Sequence, residues 1–519
     1  MNRFRMLPNY QYYNDNNGIL ETKYKKNMRD YQVYGNSIQN GEPSIDNPVE
    51  IYSVGEKSMN LWGKETINIS APQDVDVSWD SDGWIRFDVG DYSEDVECST
   101  ELNLLAGTYS ICCSHSLNFY IDDTNLGNAV FKTITSTEDF ILKLSTYASE
   151  VSFSFSVMVV EGEYTEDTMP KFEPHYTGYK IPIEVSGKNL LESVKVSSVS
   201  RVSYEKYGNG YKLTSNINTG GYGNFARIPL LPITELKWGQ TYTLFFNINQ
   251  SNTAMRSRLG AAYSTSSSTK FLASKTITEN TNSYISLTFA LPNEQPDDWV
   301  SGYLIFFINV QTAALDTFES ICITDIMLVE GDEPSYYEPY IPTKTYDIYI
   351  DEPLRKIGKY ADYIDFRSGK IVRVINKKVF GGSESINIPG SVIEGYTPFR
   401  HFISGGTYPF LCDKFPYYEI NYDNAIGKGE CVAKYGGIGN SQVFFIISND
   451  RIPLNDIMAF KNWLEELYLN GNPVTLYYRL SQPIEEPIEL PQLLLNKGTN
   501  IIKIKTAIEP SLVDWQYYK

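Results

Sequence analysis

The stretch Val75-Asp76-Val77-Ser78-Trp79-Asp80-Ser81-Asp82-Gly83-Trp84-Ile85-Arg86-Phe87-Asp88-Val89 decides the fold class. Val75, Val77 and Trp79 alternate with polar residues, and Ile85, Phe87 and Val89 alternate again after Asp82-Gly83. Successive side chains of a strand point to opposite faces, so the pattern predicts a half-buried strand, a tight turn and an antiparallel partner. Val202-Ser203-Tyr204, followed by Asn209-Gly210-Tyr211, repeats the arrangement later in the chain.

This hairpin is one of several anchors that recur in the same order. Asn60-Leu61-Trp62 precedes it and is echoed by Asn189-Leu190-Leu191. Leu105-Ala106-Gly107-Thr108-Tyr109 follows it and is matched by Lys237-Trp238-Gly239-Gln240-Thr241-Tyr242. Val157-Met158-Val159-Val160-Glu161-Gly162 closes the set against Ile326-Met327-Leu328-Val329-Glu330-Gly331, and each is followed by an aromatic-Glu-Pro run, at Phe172 and Tyr337. Anchors in register imply a duplicated module: module A over 59–177 and module B over 188–341. The extra length of module B falls around Ser251–Lys275, whose Ser/Thr-rich composition predicts a loop. Alternation at Phe140, Leu142 and Leu144, at Phe153, Phe155 and Val157, and over Tyr303–Val310 and Ile321–Val329 adds strands. Closely spaced strands without helical stretches predict a sandwich or jelly roll.

Residues 1–58 read as an N-terminal attachment segment ending in a linker strand, and 342–519 as a different, mostly-β domain. That last part opens with Tyr363–Phe366, a Ser368-Gly369 turn and Ile371–Ile375. Its Ile457, Phe460, Leu464 and Leu467 share one face of a helix expected at about 454–469, capped by Asn455 or Asp456 and ended by Asn470-Gly471. The expected class is therefore mainly β: tandem antiparallel β-sandwich (jelly-roll) modules, then a β-rich domain with one helix.

Bulk properties bound the function. At 519 residues the chain is long enough for three or four domains. Its net charge of −19 argues against nucleic acid and anionic membranes, which need a basic footprint. No apolar run is long enough to span a bilayer, so no membrane insertion is expected. The N-terminus lacks the apolar core of a secretory signal, which suggests manufacture in the cytoplasm. Six cysteines without metal-ligand spacing read as reduced and structural, with Cys112 and Cys113 on opposite faces of a strand. No nucleophile elbow, metalloprotease motif or phosphate loop is present, so no catalytic residues are expected.

Three further stretches carry a family resemblance. Arg29–Gly41 with Pro48–Ile51, the Met327–Tyr340 run, and Leu476–Leu480 with Pro483–Pro491 resemble elements of tail fibre, receptor-binding or baseplate proteins of phages that infect Gram-positive bacteria. The Met327–Tyr340 run is similar to the end of their carbohydrate-binding-module-like jelly rolls. The resemblance implies a place in the virion tail or a phage-derived particle, other tail and baseplate proteins as partners, and a homo-oligomer, a trimer by preference. It also implies host attachment through a cell-surface saccharide. Many such modules carry a structural calcium. Asp80-Ser81-Asp82-Gly83 and Asp122-Asp123 supply carboxylates, but a hairpin turn accounts for the first, and no metal ligand or other cofactor is assigned.

Aromatic rings are the candidate ligand contacts. Trp84 lies out of phase with Ile85, Phe87 and Val89, so it is expected to face outward, with Tyr211 in the matching place of module B and Trp79 and Tyr204 beside them. Sugars stack on such rings through their apolar C–H faces. The rival reading is a purely structural tail scaffold, in which the rings pack against neighbouring protein.

Overall fold

The computed structural model describes residues 12–15, 19–22, 31–73, 75–80, 82–88, 96–148, 153–216, 224–250, 255–277, 281–300, 302–312, 320–331, 336–390, 394–425, 427–436, 441–493, 499–504 and 514–517. Strands dominate, and Ile457–Leu469 is the one α-helix among the described residues. The chain divides into two compact units.

The first unit comprises Met1–Met28, Ile183–Tyr346 and Gln492–Ile504, and so contains module B. One sheet runs in the order Val202–Tyr207, Gly210–Ser215, Ser320–Glu330, Thr241–Gln250, Thr281–Ala290. The other runs Ser198–Ser200, Phe225–Pro232, Tyr303–Thr312, Met255–Ser264, Thr269–Ile277. Their inner faces supply one core that includes Leu213, Leu244, Phe246, Phe306, Ile308 and Ile323, all fully buried. Phe246 and Phe306 meet across it with ring centroids 4.8 Å apart. Side chains of this size each contribute about 1.5–3 kcal/mol when fully buried.

The Ser251–Lys275 expectation needs correction. Met255–Ser264 and Thr269–Ile277 are paired strands, not a loop. Leu259, Ala261 and Tyr263 alternate into the core while Ser274 and Thr276 stay exposed, and Thr suits a pleated surface as well as a loop.

The second unit comprises Arg29–Pro182, Asp347–Pro491 and Lys505–Lys519. Module A follows the same strand order as module B with fewer breaks. Its Gly107–Ile121 strand begins by pairing with Val157–Glu161 and ends by pairing with Phe140–Ala148. In module B these two roles fall to separate strands, Thr241–Gln250 and Met255–Ser264. The registers match: Tyr109 opposes Glu161, and Tyr242 opposes Glu330.

The repeated anchors have a common physical cause. Asn60 is buried; its amide nitrogen donates to the carbonyls of Val157 and Glu173, and its Oδ1 accepts from the amides of Trp62 and Val159. Asn189 does the same with the carbonyl of Glu338 and the amides of Leu191 and Leu328. One side chain thus ties the module's first segment to its last strand and to the Glu-Pro run beyond. A second tie repeats as well: the Ser110 hydroxyl donates to the Gly162 carbonyl, and the Thr243 hydroxyl donates to that of Gly331.

The founding hairpin forms as expected, with Trp79 opposite Ile85. Ile85 and Phe87 are fully buried, but Val77 is exposed because Asp76–Trp79 is the edge strand of its sheet. Val89 lies outside the described residues. Asp80 Oδ1 accepts from the amides of Asp82 and Trp84, which makes this carboxylate a turn-former. All six cysteines are free; Cys113 is buried and Cys112 is half-exposed on the other face.

Described stretches of 1–58 are built into sheets with later parts of the chain. Tyr31–Tyr34 is built into the sheet of the last domain, between Tyr363–Asp365 and Asp514–Tyr517. Likewise Asn500–Ile504 leaves the last domain and pairs with Ile19–Thr22 and Ile183–Gly187 in the first unit. The helix starts one residue after Asp456, whose carboxylate accepts from the Ala459 amide at 2.9 Å. Phe460 stacks on Phe399 at 4.1 Å, and Gly471 adopts φ +70° just past the end.

Candidate functional site

The four rings expected to bind ligand do not form a platform. Trp79 packs on Trp62 at 5.1 Å and joins the core of module A. Trp84 is half-buried, with its ring edge-on to His115 at 6.4 Å. Tyr211 is only 4% exposed and its hydroxyl donates to the Val194 carbonyl, so it is a core residue of module B. Tyr204 is exposed beside it, edge-on at 5.8 Å. The inversion of Tyr211 has a simple cause. The turn is Gly208-Asn209, closed by the Tyr207–Gly210 pair, one residue earlier than Asn209-Gly210. A one-residue slip moves every following side chain to the opposite face.

A different set of residues comes together on the outer face of module B's second sheet. Along Phe225–Pro232, Ala226, Ile228 and Leu230 enter the core, which leaves Phe225 and Arg227 on the outer face. Arg227 opposes Phe307, and Phe225 opposes Asn309, on the neighbouring strand. Arg258 opposes Asn309 from the other side. The Phe225 and Phe307 rings stack at 5.1 Å, and Phe271 meets Phe307 edge-on at 5.5 Å. Phe307 is 7% exposed and forms the floor, whereas Phe225 and Phe271 are half-buried.

Gly260 makes the arrangement possible. A Cβ there would lie 2.7 Å from Phe271 Cδ1 and 2.2 Å from the Ala273 carbonyl oxygen, so only glycine lets Phe271 lean across the sheet. With Ser267, Ser268 and Thr269 at the rim, these residues enclose a cleft of about 510 Å³, within the range of small-ligand sites.

Two guanidiniums lie over the rings. Arg227 Cζ is 4.7 Å from the Phe225 centroid and 5.8 Å from that of Phe307; Arg258 Cζ is 4.0 Å from that of Phe271. Arg227 Nη2 donates to the Thr269 hydroxyl at 3.4 Å, and its buried Nε has no hydrogen-bond partner among the described residues. Arg258 donates through Nε and Nη2 to the Ser274 hydroxyl. Among the described residues the lining contains no carboxylate.

A larger cleft, of about 920 Å³, lies in the second unit and includes Lys414 and Asp413. Several of its ionic groups pair with one another or with neighbouring residues. Lys414 pairs with Asp413 and donates to Asn472 Oδ1, Lys180 pairs with Glu173, and Arg355 and Lys377 pair with Glu352. Burial raises the Asp413 carboxyl above its ordinary range, against the Thr475 amide and the Lys414 ammonium, which lower it. The smaller cleft, with half-buried aromatic rings beside two arginines that form no ion pair with any described residue, is the better candidate for a ligand.

Sequence reasoning missed this face for two reasons. Phe271 and Arg258 lie in the segment expected to be a loop. Phe225 and Arg227 occupy the polar phase of an alternating strand, and an aromatic in that phase was the available signal.

No family model and no curated protein matches the chain. Solved structures that it resembles include one described as a basis for the promiscuous specificity of carbohydrate-binding modules of the β-sandwich superfamily. That match has 14% identity over 51% of this chain and 98% of the other, with a TM-score of 0.20. Another is the N-terminal tandem CBM22 domain of Paenibacillus barcinonensis Xyn10C, at 7% identity over 57% of this chain and 100% of the other, with a TM-score of 0.18. Superpositions this loose carry no argument, and the β-sandwich fold rests on the strand pairing described above.

Proposed function

We propose that this chain is a structural tail protein of a phage or phage-derived particle, and that it contacts the host surface by binding a cell-surface saccharide on the outer face of module B. The observation that carries the binding half is the Phe225–Phe307–Phe271 cluster, whose Phe225 and Phe271 rings are partly exposed and bordered by Arg, Asn, Ser and Thr donors. Pyranose rings present apolar C–H faces and equatorial hydroxyls, and a site for them needs flat apolar surface with polar groups at its edge. The tail placement, the homotrimeric assembly and the absence of catalysis rest on the sequence resemblance and on the lack of catalytic motifs.

Each site is shallow, so adsorption would depend on several copies. Copies that engage together raise avidity by about 10²–10⁴. The test is adsorption of purified protein to host cell walls, wild type against Phe271→Ala. Phe271 is half-buried on the outer face, so the variant should fold and should lose about five-fold or more in binding, because stacking against one ring is worth about 1–3 kcal/mol by analogy with bases on aromatics. Wild type that ignores cell walls would favour the scaffold reading, and equal adsorption of both proteins would displace the site from this face.

A further inference from the structure

We infer that the saccharide held on this face is acidic, with a sugar carboxylate gripped between Arg227 and Arg258; this rests on the saccharide reading of the same site. The chain carries a net charge of −19, yet among the described residues this cleft is lined by two arginines and no acid. Neither arginine forms an ion pair with any described residue, in contrast to Arg86 with Asp88, Arg355 with Glu352, Arg373 with Glu486 and Arg451 with Glu430. A guanidinium offers five N–H donors. Arg227 engages one of them and Arg258 two, each with a hydroxyl.

The spacing fits a ligand rather than a packing contact. Arg227 and Arg258 flank the Tyr303–Thr312 strand on opposite sides, opposed to Phe307 and Asn309 respectively. Their backbones are thus two strand spacings apart across the sheet and offset by two residues along it, about 12 Å in all. Long side chains from that separation can converge on a sugar ring seated between them over Phe307. Stacking on Phe225 and Phe271 fixes the guanidinium planes and lowers the entropy lost on binding. A planar carboxylate matches the guanidinium fork with two parallel hydrogen bonds. Bulk charge would repel such a polymer, but screening removes that repulsion beyond about 8 Å at physiological salt, and contacts inside the cleft remain.

The test is calorimetric titration of the full chain with oligogalacturonate and oligomannuronate, each beside its neutral counterpart, and with poly(glycerol phosphate). At least one uronate should bind about ten-fold or more tightly than its neutral counterpart, the increment expected of charge-assisted hydrogen bonds. Arg227→Gln and Arg258→Gln should each weaken uronate binding more than neutral binding and so remove most of that preference. Raising salt should weaken the uronate complex of the wild type alone. Because Arg227 is half-buried, Arg258→Gln and the salt series keep the outcome independent of that variant's folding. Neutral oligomers bound as tightly as uronates, with no effect of either substitution, would overturn the acidic assignment and leave the saccharide reading standing. Tighter binding of poly(glycerol phosphate) than of every uronate would overturn the carboxylate. Failure of the folded wild type to bind any probe at millimolar concentration would sink both readings.

Discussion

Asn60→Ala removes the tie that closes module A, and the structure gives the size of the loss. The side chain is 1% exposed and makes four hydrogen bonds, all between 2.9 and 3.0 Å. The truncation leaves the buried amides of Trp62 and Val159 without an acceptor, at about 1–3 kcal/mol each. The Val157 and Glu173 carbonyls keep a second lone pair and add less, so the total is about 2–6 kcal/mol, a large share of the 5–15 kcal/mol typical of a domain. Asn189→Ala should cost less, because that residue makes three such bonds and the one from Leu328 is 3.4 Å long. Urea unfolding followed by tryptophan fluorescence reads the difference, since Trp62 sits in the module A core beside the substituted residue. A loss below about 1 kcal/mol for Asn60→Ala, on the scale of a single net hydrogen bond, would refute the view that this residue closes the module.

Two smaller perturbations test the last domain. Burial holds His401 below its ordinary pKa of 6.5, against the Ser385 carbonyl and Glu384, which raise it, and with Lys378, which lowers it further. The unfolded chain therefore takes up a proton first, so stability present above pH 6.5 should fall as pH drops through that value; melting curves at neutral and mildly acidic pH should separate, and less so for His401→Gln. Asp456→Ala removes the helix cap and should lower stability by about 1 kcal/mol in the same unfolding assay, with Asp456→Ser restoring most of it.

Much of the fold was legible because it is written in local patterns. The Ile85–Phe87 alternation, the helical stripe at Phe460 and Leu464, and the paired anchors each depend on residues close in sequence, and each appears where expected. The pins Asn60 and Asn189 were visible as repeated letters, but their partners lie about a hundred or more residues further on, as a long-range β topology requires.

The candidate binding face was not legible. Whether Tyr211 faces core or solvent turned on a single residue of register in a hairpin containing both Gly208 and Gly210, and either placement satisfies the local turn rules. Whether Ser251–Lys275 is loop or sheet turned on a central strand, Tyr303–Thr312, that lies far away in sequence and supplies its hydrogen bonds. The sequence by itself determined the strand periods, the module repeat, the acidic charge and the single helix, because those follow from neighbouring side chains. Only the tertiary structure decided which face of which sheet gathers Phe225, Phe271, Phe307, Arg227 and Arg258, because that depends on the order in which distant strands pair.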